Sequence, residues 1–226
     1  MAGEILVMRP GLVPYDEARQ LQQRLAAQRQ RDEIPDVLLL LEHPPVYTRG
    51  RRSKAEELPM GLEWYEAQGI EVCDTDRGGL VTYHGPGQLV AYPIVDLGAY
   101  DDDVHRYVRG LEQVMIEALG GAGVTAQTIE GLTGVWVGRR KIGSIGLHVS
   151  RGVTTHGLAI NVNNDLQPFE WIVPCGIEGV AMTSLARELG TDQDLDSFTK
   201  VLVGSYARVL KRSSEATTPP RSQRIQ

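Results

Sequence analysis

Between residues 37 and 162 the chain alternates short β-forming runs with glycine-bearing turns, and helical periodicity interrupts that stretch only once. Residues 37–41 (VLLLL) form an unbroken apolar run, as a strand buried on both faces requires, and Pro44 and Pro45 close it. Further strands are expected at 4–8, 70–73, 80–83, 88–95, 124–129, 134–137, 141–149 and 153–162. Residues 47–54 put four positive charges into eight positions and read as an exposed loop. A first helix follows Pro14, with Tyr15, Ala18, Leu21 and Leu25 on one stripe and Asp16 and Glu17 in the first turn. Val104, Tyr107, Val108, Leu111, Met115 and Leu119 mark a second helix, and Leu195, Phe198, Leu202, Tyr206 and Val209 a third. Thr191 and Asp194 have capping-box spacing for that last helix. Helices at both ends and strands between them predict an α+β domain, a mixed sheet flanked by helices. One domain is expected over residues 1–212, with a disordered tail at 213–226, where apolar residues nearly vanish.

Charge narrows the partners. The formal net charge is −6, which supplies no field for a polyanion, so nucleic acid is not expected as a partner. No window reaches the roughly 18–20 apolar residues of a membrane span. Residues 1–9 lack the basic start and long apolar stretch of a signal sequence, so a cytoplasmic protein is expected; a monomer is expected as well. The two cysteines, Cys73 and Cys175, are too few for a disulfide framework or a zinc site, and no metal or cofactor is called for.

Three segments have compositions suited to chemistry. Residues 77–88 (RGGLVTYHGPGQ) set four glycines around a strand bearing Arg77, Thr82, Tyr83 and His84, either as a wall whose backbone approaches a ligand or as a hairpin with glycine turns. Cys175 stands between Pro174 and Gly176, a way of holding a thiol at a fixed point, although a lone cysteine among Val and Ile is more often a small core residue. Cys73, on a strand, fits that role better. A nucleophilic thiol needs a neighbouring cation or base. Lys141, in GRRKIGSIG, is one candidate, and His84, His148 and His156 are rivals.

The stretch RGGLVTYHGPGQLVAY (77–92) closely resembles the signature of the octanoyltransferases of lipoate biosynthesis, the lipoyl(octanoyl) transferase family. The likeness continues in GRRKIGSIGLHV (138–149), THGLAINVN (155–163) and PCGIEGVAMTSL (174–185), in order across roughly residues 5–210. The resemblance implies the biotin and lipoate protein ligase fold. It implies transfer of octanoyl from octanoyl-acyl carrier protein to a lysine of lipoyl domains, those of 2-oxoacid dehydrogenase complexes and the glycine cleavage H protein. Cys175 matches the family's nucleophile, and Lys141 the residue that activates the thiol and shuttles its proton. Arg77, Gly78, Gly79, Leu80, Val81, Thr82, Tyr83 and His84, with Ser144, Ile145, Gly146, Gly157, Leu158 and Ala159, match the substrate-lining positions. Arg49, Arg51, Arg52 and Lys54, with Arg139 and Arg140, are candidates for docking acidic partners. An ATP-dependent ligase of the same fold, with Cys175 idle, and a non-enzymatic acyl-binding protein are the competing readings.

Overall fold

A computed structural model describes residues 4–172, 180–210 and 213–215. Its main sheet has eight strands: β1 (Glu4–Leu12), β2 (Asp36–Glu42), β6 (Gln88–Ile94), β7 (Gln127–Ile129), β8 (Leu132–Val137), β9 (Arg140–Ser150), β10 (Val153–Asn161) and β11 (Ser213–Glu215). Their order is β11-β1-β2-β6-β10-β9-β8-β7. The β11-β1 and β1-β2 pairs are parallel and the other pairs antiparallel. The mixed sheet and α+β class expected from the sequence are present.

Period-2 alternation sorts the core. From β2, Leu38 and Leu40 face helices α3 (Val104–Gly121) and α5 (Leu195–Val209), packing among Leu111, Met115 and Leu202. Val37, Leu39 and Leu41 point the other way and meet Ala18, Leu21 and Leu25 of α1 (Tyr15–Arg29). The sheet is therefore covered on both faces, which is why β2 and β6 carry almost no exposed side chain.

A second sheet, β4 (Glu71–Asp74), β3 (Val46–Arg49) and β5 (Val81–His84), stands beside the first with β3 in its centre. Residues 47–54 are thus not one exposed loop. Tyr47 and Thr48 are fully buried, because Tyr47 packs on Tyr65 of helix α2 (Leu62–Ala67) and Tyr83 while its hydroxyl donates to the Pro168 carbonyl at 2.6 Å. Only Arg51, Arg52 and Lys54 of that run's cations are exposed. Two further expectations change. Asp194, not Thr191, caps α5, accepting from Asp196 N–H, and the short helix α4 (Leu185–Leu189) ends just before Thr191. The expected tail begins at Ser213, yet Ser213–Glu215 pair with β1; residues 216–226 lie outside the described residues. No described helix is long and apolar enough to cross a membrane, and the described residues hold no metal-binding cluster.

Candidate functional site

Where the two sheets and the start of α3 meet, they enclose a cavity of about 450 Å³. Residues 77–82, His84, Lys141, 144–146 and 157–159 all border it, so three segments distant in sequence form one lining. Tyr83 does not. Alternation along β5 turns Tyr83 away from Thr82 and His84, onto Tyr47 and Phe169 at centroid distances of 5.5 Å each.

The wall at β10 follows from Pro93 in the neighbouring strand. Proline offers no N–H to the ladder, so regular β6-β10 pairing begins only at Leu158 opposite Ala91. His156 adopts φ +58, and Gly157 lies directly against β6. A Cβ at Gly157 would stand 2.2 Å from the Ala91 carbonyl oxygen and 2.5 Å from Pro93 Cδ. Gly157→Ala is expected to cost about 3 kcal/mol or more through this overlap. Urea unfolding checks it, and an unchanged midpoint would show that β10 can slide away.

Lys141 is buried at the start of β9, with Nζ 5.4 Å from the centroid of the Trp136 ring. Gly134 makes room for it, since a Cβ there would lie 2.7 Å from Lys141 Cε. The backbone of Lys141 is pinned by residues 181–183. Its N–H donates to the Ala181 carbonyl and its carbonyl accepts from Thr183 N–H, both at 2.9 Å. Cys175 itself lies outside the described residues, which omit 173–179. On the near side of that gap, Trp171 accepts a 2.7 Å hydrogen bond from Tyr65 and Ile172 is buried.

A polar layer backs the cavity. His43 Nδ1–H donates to the Val13 carbonyl at 2.7 Å, which leaves Nε2 to accept from the Tyr92 hydroxyl at 2.8 Å. His156 Nε2 lies 2.7 Å from Asp76 Oδ1, and its backbone N–H reaches Gln22 Oε1 at 2.6 Å. Burial lowers the pKa of His43 to about 4 and that of His84 well below the ordinary histidine value. Burial also wins for His156, where Asp76 opposes it; Asp76, hydrogen-bonded by His156, is held down to about 2. The carboxylate carries the charge of that pair and the imidazole stays neutral. His148 lies 3.5 Å from the other Asp76 oxygen.

Tyr15, Tyr92, Trp136 and the first turns of α3 also border the cavity, none of which sequence reasoning had placed there. Val104 and Val108 lie on the apolar stripe of α3 and looked like core. The stripe simply continues past the sheet's end into the cavity wall. Cys73 hydrogen-bonds Glu71, and burial pushes its thiol up to about 12, so it is a poor nucleophile. Among the docking candidates, Arg49 pairs with Asp74 and Arg140 with Glu188, whereas Arg52 reaches the cavity's rim.

Comparison with known proteins agrees with this arrangement. Residues 14–207 match the model of the lipoyl protein ligase A/B catalytic domain. The chain is 49% identical to the octanoyltransferase of Chloroflexus aggregans, over 88% of this chain and 91% of that protein. It is also 49% identical to the octanoyltransferase of Rubrobacter xylanophilus, over 89% and 91%. In fold it is similar to the bipartite lipoate protein ligase of Thermoplasma acidophilum, solved in a study that included its E2 lipoyl domain, with a TM-score of 0.75, 19% identity and coverage of 98% of this chain and 88% of that one. By the extent of the family match and the identity to these relatives, the chain belongs to the lipoyl protein ligase A/B catalytic domain family and, within it, to the octanoyltransferases.

Proposed function

We propose that this protein moves an octanoyl group from octanoyl-acyl carrier protein to a lysine amine of lipoyl domains, through a thioester on Cys175 with Lys141 as acid and base. The observation that carries this reading is the meeting of Lys141 with the glycine-bearing walls 77–79, 144–146 and 157–159 around one cavity. Further support comes from the chain after Cys175. Six positions beyond the cysteine, Ala181 is hydrogen-bonded to Lys141, so chain length alone limits how far residue 175 can lie from the strand that bears the lysine.

In the first step the Cys175 sulfur, its proton passed to Lys141, attacks the thioester carbon. A C–S bond to the enzyme forms, the C–S bond to the carrier breaks, and the carrier thiolate takes the proton back from Lys141. One thioester replaces another, so positioning decides the rate more than driving force. In the second step the lysine amine attacks, a C–N bond forms and the enzyme C–S bond breaks. Lys141 receives the amine proton and returns it to the departing Cys175 sulfur. Leu80, Ile145, Leu158 and Ala159 give the alkyl chain an apolar seat. The seven carbons beyond the carbonyl are worth roughly 6 kcal/mol on burial, at about 0.8 kcal/mol each. The acceptors are the lipoyl domains of 2-oxoacid dehydrogenase complexes and the glycine cleavage H protein, met in the cytoplasm.

Incubation with octanoyl-acyl carrier protein in the absence of ATP tests this. Intact mass should show one octanoyl adduct, removed by hydroxylamine, absent in Cys175→Ser and kept in Cys73→Ser. A requirement for ATP, or full transfer by Cys175→Ser, would overturn the mechanism.

A further inference from the structure

His84 is buried in β5, borders the cavity and takes no part in the proton relay just described. Its tautomer is fixed by a chain of amides. Gln88 Nε2 donates to the Tyr83 carbonyl at 3.2 Å and to Asn161 Oδ1 at 2.9 Å, and Asn161 Nδ2 in turn donates to the Thr183 carbonyl at 3.0 Å. Gln88 must therefore present Oε1 to His84, whose Nδ1–H donates to it at 2.6 Å. The remaining nitrogen, Nε2, then carries a lone pair and meets no hydrogen-bond donor among the described residues. Packing holds the ring, with Tyr15 stacked at 6.3 Å and His43 edge-on at 5.6 Å. Burial and the nearby Arg77 keep it uncharged, so this nitrogen stays an acceptor.

An acceptor in a reaction cavity selects a substrate group that has a hydrogen to give. The alkyl chain and the thioester have none. The attacking amine has two, and it needs only its lone pair free to reach the carbonyl carbon. We infer that His84 Nε2 accepts a hydrogen bond from the incoming lysine amine and so aims that lone pair at the octanoyl thioester. The inference rests on the transfer reading above and adds to it the seat of the second substrate. Arg77 at the same wall disfavours a charged ammonium there, so the amine binds neutral, and the one proton it sheds as the C–N bond forms passes to Lys141. The other source of an N–H donor would be an amide of the carrier's thiol-bearing arm, which enters only in the first half-reaction.

Single-turnover kinetics separate the two. His84→Asn keeps a donor for Gln88 but removes the acceptor at the Nε2 position, while His84→Gln restores an acceptor there. In His84→Asn, acylation by octanoyl-acyl carrier protein should stay within about threefold of wild type, and discharge to a lipoyl domain should slow roughly 30- to 100-fold. His84→Gln should recover at least about tenfold of that loss. Equal slowing of both half-reactions, slowing of acylation alone, or unchanged discharge would each overturn the role of His84. A wild-type protein that forms no Cys175 adduct would instead bring down the transfer reading, and this inference with it.

Discussion

Lys141→Met is expected to lower octanoyl transfer by about a thousandfold while leaving the protein folded. The substitution keeps an unbranched chain of similar volume, which can still lie against Trp136 and pass over Gly134. The backbone bonds that tie residue 141 to Ala181 and Thr183 do not depend on the side chain at all. What disappears is the ammonium to which we assign activation of the thiol and carriage of its proton, a contribution of the order seen for positioned acid–base groups. Both half-reactions should slow together, because the proposed relay routes a proton through the same nitrogen in each. Parallel thermal melts and single-turnover rates measure the two effects. Transfer within tenfold of wild type in a folded Lys141→Met protein would remove the lysine from the mechanism.

Stability should fall steeply as the pH drops from about 6.5 toward 4. His43, His84 and His156 all have folded-state pKa values below the ordinary 6.5. An unfolded chain takes up their protons as the pH passes 6.5, and the folded chain does not. The stabilisation is therefore complete above pH 6.5 and is lost as the pH falls. His43 alone, with a folded value of about 4, accounts for about 3 kcal/mol of loss by pH 4. His84 adds in the same direction. Asp76, held down to about 2, adds a further loss only below the usual carboxylate range. Against a typical total of 5–15 kcal/mol, a loss of this size is a large share of the stability as the pH approaches 4. Urea midpoints measured from pH 7.5 to 4.5 check this, and His43→Gln should flatten the slope. A midpoint independent of pH over that range would mean that water enters the polar layer and hydrates the histidines.

The elements of the fold were legible where periodicity was strong. α1, α3 and β2 were expected from apolar spacing alone, and the chain folds them within a few residues of those bounds. Residues 47–54 misled because four cations suggested solvent, whereas Tyr47 and Thr48 are held by partners more than 25 positions away, Pro168 and Arg77. No local pattern encodes such partners. The lining of the cavity was legible through its glycines and through family resemblance. The contributions of Tyr15, Tyr92 and Trp136 were not, because an aromatic residue that lines a cavity has the same local signature as one that fills a core. The same limit applied to Val104 and Val108, whose place on the stripe was read correctly and whose surroundings depend on where the sheet ends.

The amide chain that orients His84 also reaches the backbone at Thr183, one residue beyond the Met182 that bridges to Lys141. The segment that follows Cys175, the strand of Lys141 and the amide chain behind His84, to which we assign nucleophile, proton carrier and amine seat, therefore meet at residues 181–183. A displacement of β9 or of the 180–183 segment shifts all three in concert, so their relative alignment survives breathing motions that would misalign parts mounted on independent loops.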